Sequence, residues 1–193
     1  MQLAGRHPGR VGKVILQNAI TEGRYPTGLT RLGAYLLFNR VAERWVWSGF
    51  RAFGRIAPRA ALKRMLGSLS SLPPERVLAA MSQDRQDAAL AFLLACRSGS
   101  GFLHDIHHRC GDLGRITAPT FIIESKYDGS KDPSHATYAA AHIADAELFL
   151  SPAESHLLWF SVHDDAIREK MRAFLQSWCR SAIHYLGSIG LPV

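Results

Sequence analysis

The sequence predicts an α/β fold in which a parallel sheet of about three strands has flanking helices and a helical insertion. Two short apolar runs, Lys13–Gln17 and Thr120–Glu124, have the pattern of strands covered on both faces. Glu147–Leu150 is a third, weaker candidate, and the alanine-rich segment Ser134–Ile143 before it predicts a helix. Strand, helix and strand in this length predict a right-handed βαβ unit with parallel strands.

Helices are predicted before the first strand and after the last strand of this sheet. Met1–Arg6 has the composition of a helical turn, and the Pro8–Gly9 break separates it from the first strand. Near the other end, Asp164 and Asp165 precede Ala166–Cys179, an amphipathic segment that predicts the last helix.

A long, arginine-rich insertion, approximately Gly28–Ser100, separates the first two strands. Its predicted helices are Leu32–Phe38, Arg40–Phe53, Ala60–Leu66 and Glu75–Cys96. A minimal parallel crossover needs only about 10–12 residues, so the insertion predicts a separate helical subdomain.

The composition is that of a globular domain. Of the 193 residues, 47% are hydrophobic and 20% are charged, and no apolar run approaches the ~18 residues of a membrane span. We see no secretory signal pattern. The three cysteines are far apart and odd in number, which favours reduced thiols in a cytoplasmic protein over a disulfide framework.

The net charge of +7 is concentrated in the first third of the chain, where residues 1–64 hold 12 Lys and Arg against 2 acidic residues. Such asymmetry can mark a surface for nucleic acid or membrane. The arginines are dispersed and no RNA-binding or zinc-ligand signature accompanies them, so we expect a solvated basic face with neither partner. A basic surface for acidic partners remains the alternative.

Two ionisable residues follow neighbouring strands at their carboxyl ends. Asp128 lies four residues after Glu124, and His156 lies six residues after Leu150. The carboxyl ends of adjacent parallel strands meet at one edge, where working groups of open α/β sheets lie. An aspartate beside a histidine can orient it and stabilise its imidazolium, so the pair predicts an acid–base site. The alternatives are a turn-forming Asp-Gly and a merely buried histidine.

Residues Arg115–Leu175 resemble the C-terminal part of the α/β-hydrolase fold. The pattern I-T-A-P-T-F-I-I-E-S-K-Y-D-G, a helix, A-E-L-F-L and then S-H is similar to that family's seventh strand, acid loop, eighth strand and histidine loop. Arg6–Ala19 resembles the link from the nucleophile-bearing helix to the sixth strand, and the insertion lies where the family has its cap. The resemblance implies a partial α/β-hydrolase fold.

The same resemblance implies a division into four parts. Residues 1–20 would be a remnant of the hydrolase core, containing a helix end and the sixth strand. Residues 21–108 would be the helical cap, 109–180 the C-terminal hydrolase core and 181–193 a tail.

By this resemblance Asp128 is the acid and His156 the base of a Ser-Asp-His triad that hydrolyses an ester or similar acyl compound. Relatives carry the serine in a G-x-S-x-G elbow roughly a dozen residues before the His-Pro of this linker, which is His7–Pro8 here. The expected nucleophile therefore precedes Met1. No G-x-S-x-G occurs in the 193 residues, and Ser98–Gly101 follows a predicted helix rather than a strand, which favours a linker.

The resemblance therefore implies a small-molecule substrate and no cofactor, and we expect the 193-residue chain alone to be inactive. An aspartate nucleophile is an open alternative. A second alternative is a non-catalytic, truncated or degenerate hydrolase-fold protein. A start codon assigned too late would also explain the absent elbow.

Aromatic residues supply weaker pocket candidates. Trp45, Trp47 and Trp159 could line a substrate pocket, but Trp45 and Trp47, with Phe50 and Phe53, could equally form the core of the insertion.

Two further sets of polar residues have weaker functional readings. Asn18 and Glu22 follow the first strand, where some family members keep their acid, but Asn18 cannot ionise and Asp128 is favoured over Glu22. The histidines His104, His107 and His108 could place two metal ligands on one helical face. With no third ligand apparent, surface histidines are favoured.

The sheet itself predicts an interaction. The hydrolase sheet has about eight strands and this sequence supplies about three, which would leave an open edge where the fifth strand belongs. We expect the isolated chain to be poorly soluble and to self-associate through that edge, or to be rescued by a partner that covers it.

Overall fold

A computed structural model describes residues 1–188 apart from Arg24, Thr27, Arg40, 97–100 and His108, with side chains described to Ser177. Residues 189–193 lie outside the described residues. Within the described ranges, no helix combines the length and apolar character needed to cross a bilayer.

Three parallel strands form the sheet, as the sequence predicts. They are β1 (Val14–Gln17), β2 (Thr120–Ser125) and β3 (Ala146–Ser151), in the order β1-β2-β3. All six residues of β2 are buried, because this central strand is covered on both faces. The carboxyl ends of all three strands therefore meet at one edge.

Helices surround this sheet and form the insertion between β1 and β2. They are α1 (Gln2–Arg6), α2 (Gly28–Leu37), α3 (Ala42–Ile56), α4 (Pro58–Leu69), α5 (Pro74–Ala80), α6 (Gln83–Ala95), α7 (Gly101–Asp105), α8 (Ser134–His142) and α9 (Asp164–Ser188). Short 3-10 turns occur at Pro8–Arg10, Leu113–Arg115 and Leu158–Phe160.

The predicted single helix Glu75–Cys96 is wrong, since α5 and α6 are separate helices. The chain is extended at Met81, and the Ser82 side chain accepts a hydrogen bond from the Arg85 amide, which caps the start of α6. A serine hydroxyl that satisfies a free helical N–H stabilises a new helix start at that residue. The last helix also differs from its predicted bounds, because α9 continues past Cys179 to Ser188.

Three apolar clusters hold the elements together. On one face of the sheet, α1 and α8 pack with Leu16 and Ile122, and on the other α9 packs against Phe121 and Ile123. The helices α4, α5 and α6 form a third cluster, and Leu157 from the loop after β3 lies within it. The helical insertion is thus packed directly against that loop.

The outer edge of β1 pairs with no strand in the part of the chain that the structure describes. The amides of Val14 and Asn18 donate to carbonyls of Pro119 and Ile123 on the β2 side. By strand alternation, the amides of the odd-numbered β1 residues point to the open edge. The structure therefore contains the open edge that the sequence predicts, while self-association stays a prediction.

Gln17→Pro should reduce self-association of the 193-residue chain, because proline removes an edge donor without removing a ladder hydrogen bond. Size-exclusion chromatography with light scattering over a concentration series measures the effect. Gln17→Ala is the matched control. Like the proline variant it loses the contact of the Gln17 side-chain amide with the Met171 sulfur, but it keeps the backbone N–H. A wild-type chain that is a monodisperse, cooperatively melting monomer would contradict the expectation.

Candidate active site

Asp128 and His156 meet at the carboxyl edge of the sheet. The Asp128 Oδ2 atom lies 2.7 Å from His156 Nδ1, and the Asp128 side chain is fully buried while 31% of the His156 side chain is exposed. Asp128 lies in the loop after β2, which we call the acid loop, and His156 lies in the loop after β3, the histidine loop. The parallel register of β2 and β3 brings these two loops together. With the carboxylate accepting from Nδ1–H, the Nε2 atom of neutral His156 is unprotonated and can accept a proton.

Ser130 completes the surroundings of the pair. Its amide and its hydroxyl both donate to Asp128 Oδ1, at 2.8 Å and 2.7 Å, and its Oγ lies 2.9 Å from His156 Nδ1. The hydroxyl oxygen is thus a second acceptor for the Nδ1 proton. A serine on this side of the ring is not placed as a nucleophile, because the base of a triad acts through Nε2 when the acid holds Nδ1.

The charge of Asp128 is stabilised by these contacts. Burial by itself would raise the pKa of the carboxyl, but hydrogen bonds from His156 and Ser130 outweigh it and lower the pKa below its usual range. Asp128 is consequently ionised near neutral pH, as an acid that orients a histidine must be. Burial raises the pKa of the neighbouring Tyr25, and the negative charge of Asp128 raises it further.

Asn18, the first residue after β1, ties the three strand ends together. Its Nδ2 donates to the His156 carbonyl at 2.7 Å, and its Oδ1 accepts from the Ser125 amide at 2.9 Å. The residue is buried and has φ of 44°, a left-handed conformation that asparagine tolerates better than most residues. Asn18 is therefore a structural link to the histidine loop.

Asn18→Gly should lower the free energy of unfolding by about 1–3 kcal/mol, because two buried hydrogen bonds are lost. Asn18→Ala should cost about 1 kcal/mol more, since alanine loses the same bonds and is also strained at positive φ. Urea unfolding of the two variants separates bonding from strain. Equal stabilities for glycine and alanine would contradict the strain argument.

A buried ion pair lies behind the acid loop. Lys131 Nζ contacts both carboxylate oxygens of Glu124, at 2.5 Å and 2.6 Å, and each side chain is 1% exposed. Burial raises the pKa of Glu124, and the hydrogen bond and charge of Lys131 oppose that rise. Burial also lowers the pKa of His135, with Lys131 adding to the effect. The His135 Nδ1 accepts from backbone amides after β1, so this ring joins the same edge.

A cavity of about 700 Å³ opens beside the pair. Its wall includes Asn18, Glu22, Tyr25, Ser130, Lys131 and His156. The Tyr25 hydroxyl donates to the Ser130 carbonyl, which connects the cavity wall to the acid loop. The space is large enough for a small-molecule ligand and reaches the histidine that can accept a proton.

The three tryptophans are not brought to this cavity. Trp45 and Trp47 lie on α3, where Trp45 is 74% exposed and Trp47 stacks edge-on with Phe50. Trp159 lies beyond the histidine loop and its ring faces Phe92 of α6. None of the three is among the lining residues of the cavity that His156 lines.

The other polar candidates have separate positions. Glu22 is exposed on the cavity wall, while the acid in contact with His156 is Asp128. His107 Nε2 lies 3.0 Å from the Tyr35 hydroxyl, and His108 lies outside the described residues, as does most of Ser98–Gly101. Among the residues that the structure describes, no group of three or more His, Cys, Asp or Glu side chains is arranged to hold a metal ion.

Sequence reasoning missed Ser130, Glu124 and Lys131 as contributors to the site and did not find the role of Asn18. Ser130 could have been predicted from the sequence, since a serine two residues after the aspartate of an Asp-Gly turn can donate a hydrogen bond to that aspartate's carboxylate. Glu124 and Lys131 had none, because their pairing depends on how the loop after β2 folds back. Asn18 was weighed only as an acid, and its role as a link depends on the tertiary structure.

Comparison with known proteins identifies this architecture. No family model matches the chain. An "Uncharacterized hydrolase YcgS" of Bacillus subtilis is 31% identical over 179 residues, which are 90% of this chain and 63% of the relative. An α/β hydrolase fold protein from Nakamurella multipartita superposes with a TM-score of 0.63 at 23% identity, covering 89% of this chain and 62% of that one. A hydrolase from Pseudomonas aeruginosa gives 0.60 at 24% identity, covering 90% and 59%.

The chain has the α/β-hydrolase fold. It spans about three-fifths of the length of these relatives.

Proposed function

We propose that this chain carries the acid and the base of a serine-type α/β hydrolase that cleaves an ester or similar acyl compound. The observation that supports it is the 2.7 Å contact between the buried Asp128 carboxylate and Nδ1 of His156, on a histidine that also lines a cavity of about 700 Å³. The nucleophile would come from a G-x-S-x-G segment outside the 193 residues.

In this proposal His156 Nε2 takes the serine proton as the hydroxyl oxygen attacks the acyl carbon. The imidazolium then gives that proton to the departing alcohol, which leaves an acyl-serine. Water attacks the acyl-serine, His156 takes a proton from the water and returns it to the serine, and the carboxylic acid is released. Asp128 stays ionised throughout, because its role is to orient the ring and stabilise the imidazolium.

The division of the chain belongs to the same proposal. Residues 21–108 would be the cap over the site, and residues 1–20 together with 109–180 would be the hydrolase core. The enzyme would be cytoplasmic and act on a small-molecule substrate. The insertion between β1 and β2 supports this, since it packs against the loop that carries His156.

The nucleotide sequence upstream of the Met1 codon tests the proposal. We expect an in-frame G-x-S-x-G after a strand-like run, and we call the protein that includes it the extended protein. The extended protein should hydrolyse p-nitrophenyl acetate, whereas the 193-residue chain should show negligible turnover. A G-x-D-x-G would instead indicate an aspartate nucleophile.

Two outcomes would count against the proposal. Upstream sequence with neither motif would favour the non-catalytic alternative. Robust ester hydrolysis by the 193-residue chain that is lost in His156→Ala would show that the nucleophile lies within the chain.

A further inference from the structure

We propose that Leu69, Ser70 and Ser71, at the end of α4 in the helical insertion, position the Asp128–His156 pair. We call these three residues the latch. The inference deepens the proposed function and rests on it only for the consequence in catalysis, since the geometry of the pair is measurable without turnover.

The latch is hydrogen-bonded to the backbone of both loops. The Leu69 carbonyl accepts from the His156 amide at 2.8 Å and from the Gly129 amide at 3.3 Å. One carbonyl oxygen therefore joins the residue that carries the base to the residue next to the acid. This oxygen comes from the last residue of a helix, where carbonyls have no partner within the helix.

Ser70 and Ser71 extend the same connection. Ser70 forms an antiparallel bridge with Asp128, and the Ser71 amide donates to the Tyr127 carbonyl at 2.9 Å. The Ser70 hydroxyl donates to the Glu154 carbonyl at 2.5 Å, two residues before His156. The latch thus lies between the two loops. It is hydrogen-bonded to residues on either side of Asp128 and, in the loop after β3, to Glu154 and to His156 itself.

Apolar packing anchors both the latch and the loop that carries His156. The α4 residues Leu66 and Leu62, one and two turns before the latch, are buried in the cluster formed by the insertion helices. Leu157, directly after His156, is buried in the same cluster. Movement of the insertion would therefore displace the His156 backbone, and displacements of about 1 Å at reacting groups are costly for catalysis.

Gly129 shows how closely the latch and the acid loop approach. A Cβ atom at this position would lie 2.5–2.8 Å from the backbone C, O and N atoms of Ser70. These are rigid backbone atoms, so the added methyl group must push the latch and the acid loop apart. Gly129 is not at positive φ, which makes this contact the specific obstacle to alanine.

The experiment is Gly129→Ala in the 193-residue chain, followed by NMR of the hydrogen-bonded Nδ1–H proton of His156 and of the Asp128 carboxyl carbon. We expect the Nδ1–H signal to be lost or moved upfield, and the pKa of Asp128 to rise toward its usual value. Ser70→Ala removes the hydroxyl, which donates to the Glu154 carbonyl and accepts from the Leu72 amide, and keeps the backbone bonds of the latch. It should cause a smaller change in the same direction. It also keeps the test usable when Gly129→Ala does not fold.

Controls separate positioning from general destabilisation. Gly9→Ala adds a methyl group with nothing within 4 Å, and Ile143→Val weakens a core cluster that contains no residue of the latch. Both should leave the Nδ1–H signal and the Asp128 pKa unchanged in the folded protein. Wild-type signals in folded Gly129→Ala and Ser70→Ala would overturn the latch and leave the proposed function standing. Absence of the Nδ1–H signal from the wild-type chain would overturn both.

Discussion

Asp128→Asn in the extended protein is expected to lower kcat for p-nitrophenyl acetate by about 10⁴-fold, the size of effect that this exchange has in a serine-protease triad. The carboxylate accepts the Nδ1 proton of His156 and leaves Nε2 free to act as a base. An asparagine amide can donate to Nδ1 instead, which favours the tautomer with its proton on Nε2. That tautomer cannot take a proton from the nucleophile.

Asp132→Asn is the matched control for this change. Asp132 lies four residues further along the same loop, is exposed, and accepts a hydrogen bond from the Ser134 amide at the start of α8. Its substitution should leave kcat within about two-fold, because the contact is not with the histidine. Steady-state kinetics of both variants measure the difference. Retention of more than a tenth of the wild-type kcat by Asp128→Asn would show that Asp128 is not the acid.

Lys131→Met is expected to lower the free energy of unfolding by about 3–5 kcal/mol, because it leaves the carboxylate of Glu124 buried without a counter-charge. Both side chains of this ion pair are 1% exposed, and the ammonium group contacts both carboxylate oxygens. Exposed ion pairs contribute little, so burial is the reason for the large effect. Urea unfolding monitored by circular dichroism measures it.

The loss should also depend on pH. Burial raises the pKa of Glu124, whereas Lys131 opposes that rise. Removing the lysine should therefore raise the pKa of Glu124 in the folded protein further. A carboxyl whose pKa is higher folded than unfolded binds more protons in the folded state. Stability of Lys131→Met should then fall as pH rises from the unfolded value of about 4.3 through the folded pKa.

Two controls define the ion pair as the cause. Lys126→Met removes an exposed lysine from the same loop and should change stability by less than about 0.5 kcal/mol. The double variant Glu124→Leu with Lys131→Met removes both charges and should recover most of the lost stability. A single Lys131→Met variant as stable as the wild type at every pH would show that the pair contributes nothing.

Local patterns predicted the sheet well and the helix boundaries less well. β1, β2 and β3 lie within two residues of their predicted bounds, because buried parallel strands are short apolar runs. The segment Glu75–Cys96 has a continuous helical composition, and only the Ser82 cap divides it. A cap competes with helix continuation by a small free energy, which the surrounding packing decides.

The Asp128–His156 contact was predictable because chain order and parallel pairing determine which loops share a sheet edge. The sequence alone determined that edge, the two residues on it and the resemblance to α/β hydrolases. Only the tertiary structure decided the buried Glu124–Lys131 pair and the link through Asn18. It also decided the exposure of Trp45 on α3 and the contacts of the latch. Leu69 and His156 are far apart in the chain and share no periodic pattern. Their contact exists because packing of the insertion brings a free helix-end carbonyl to an amide that needs a partner.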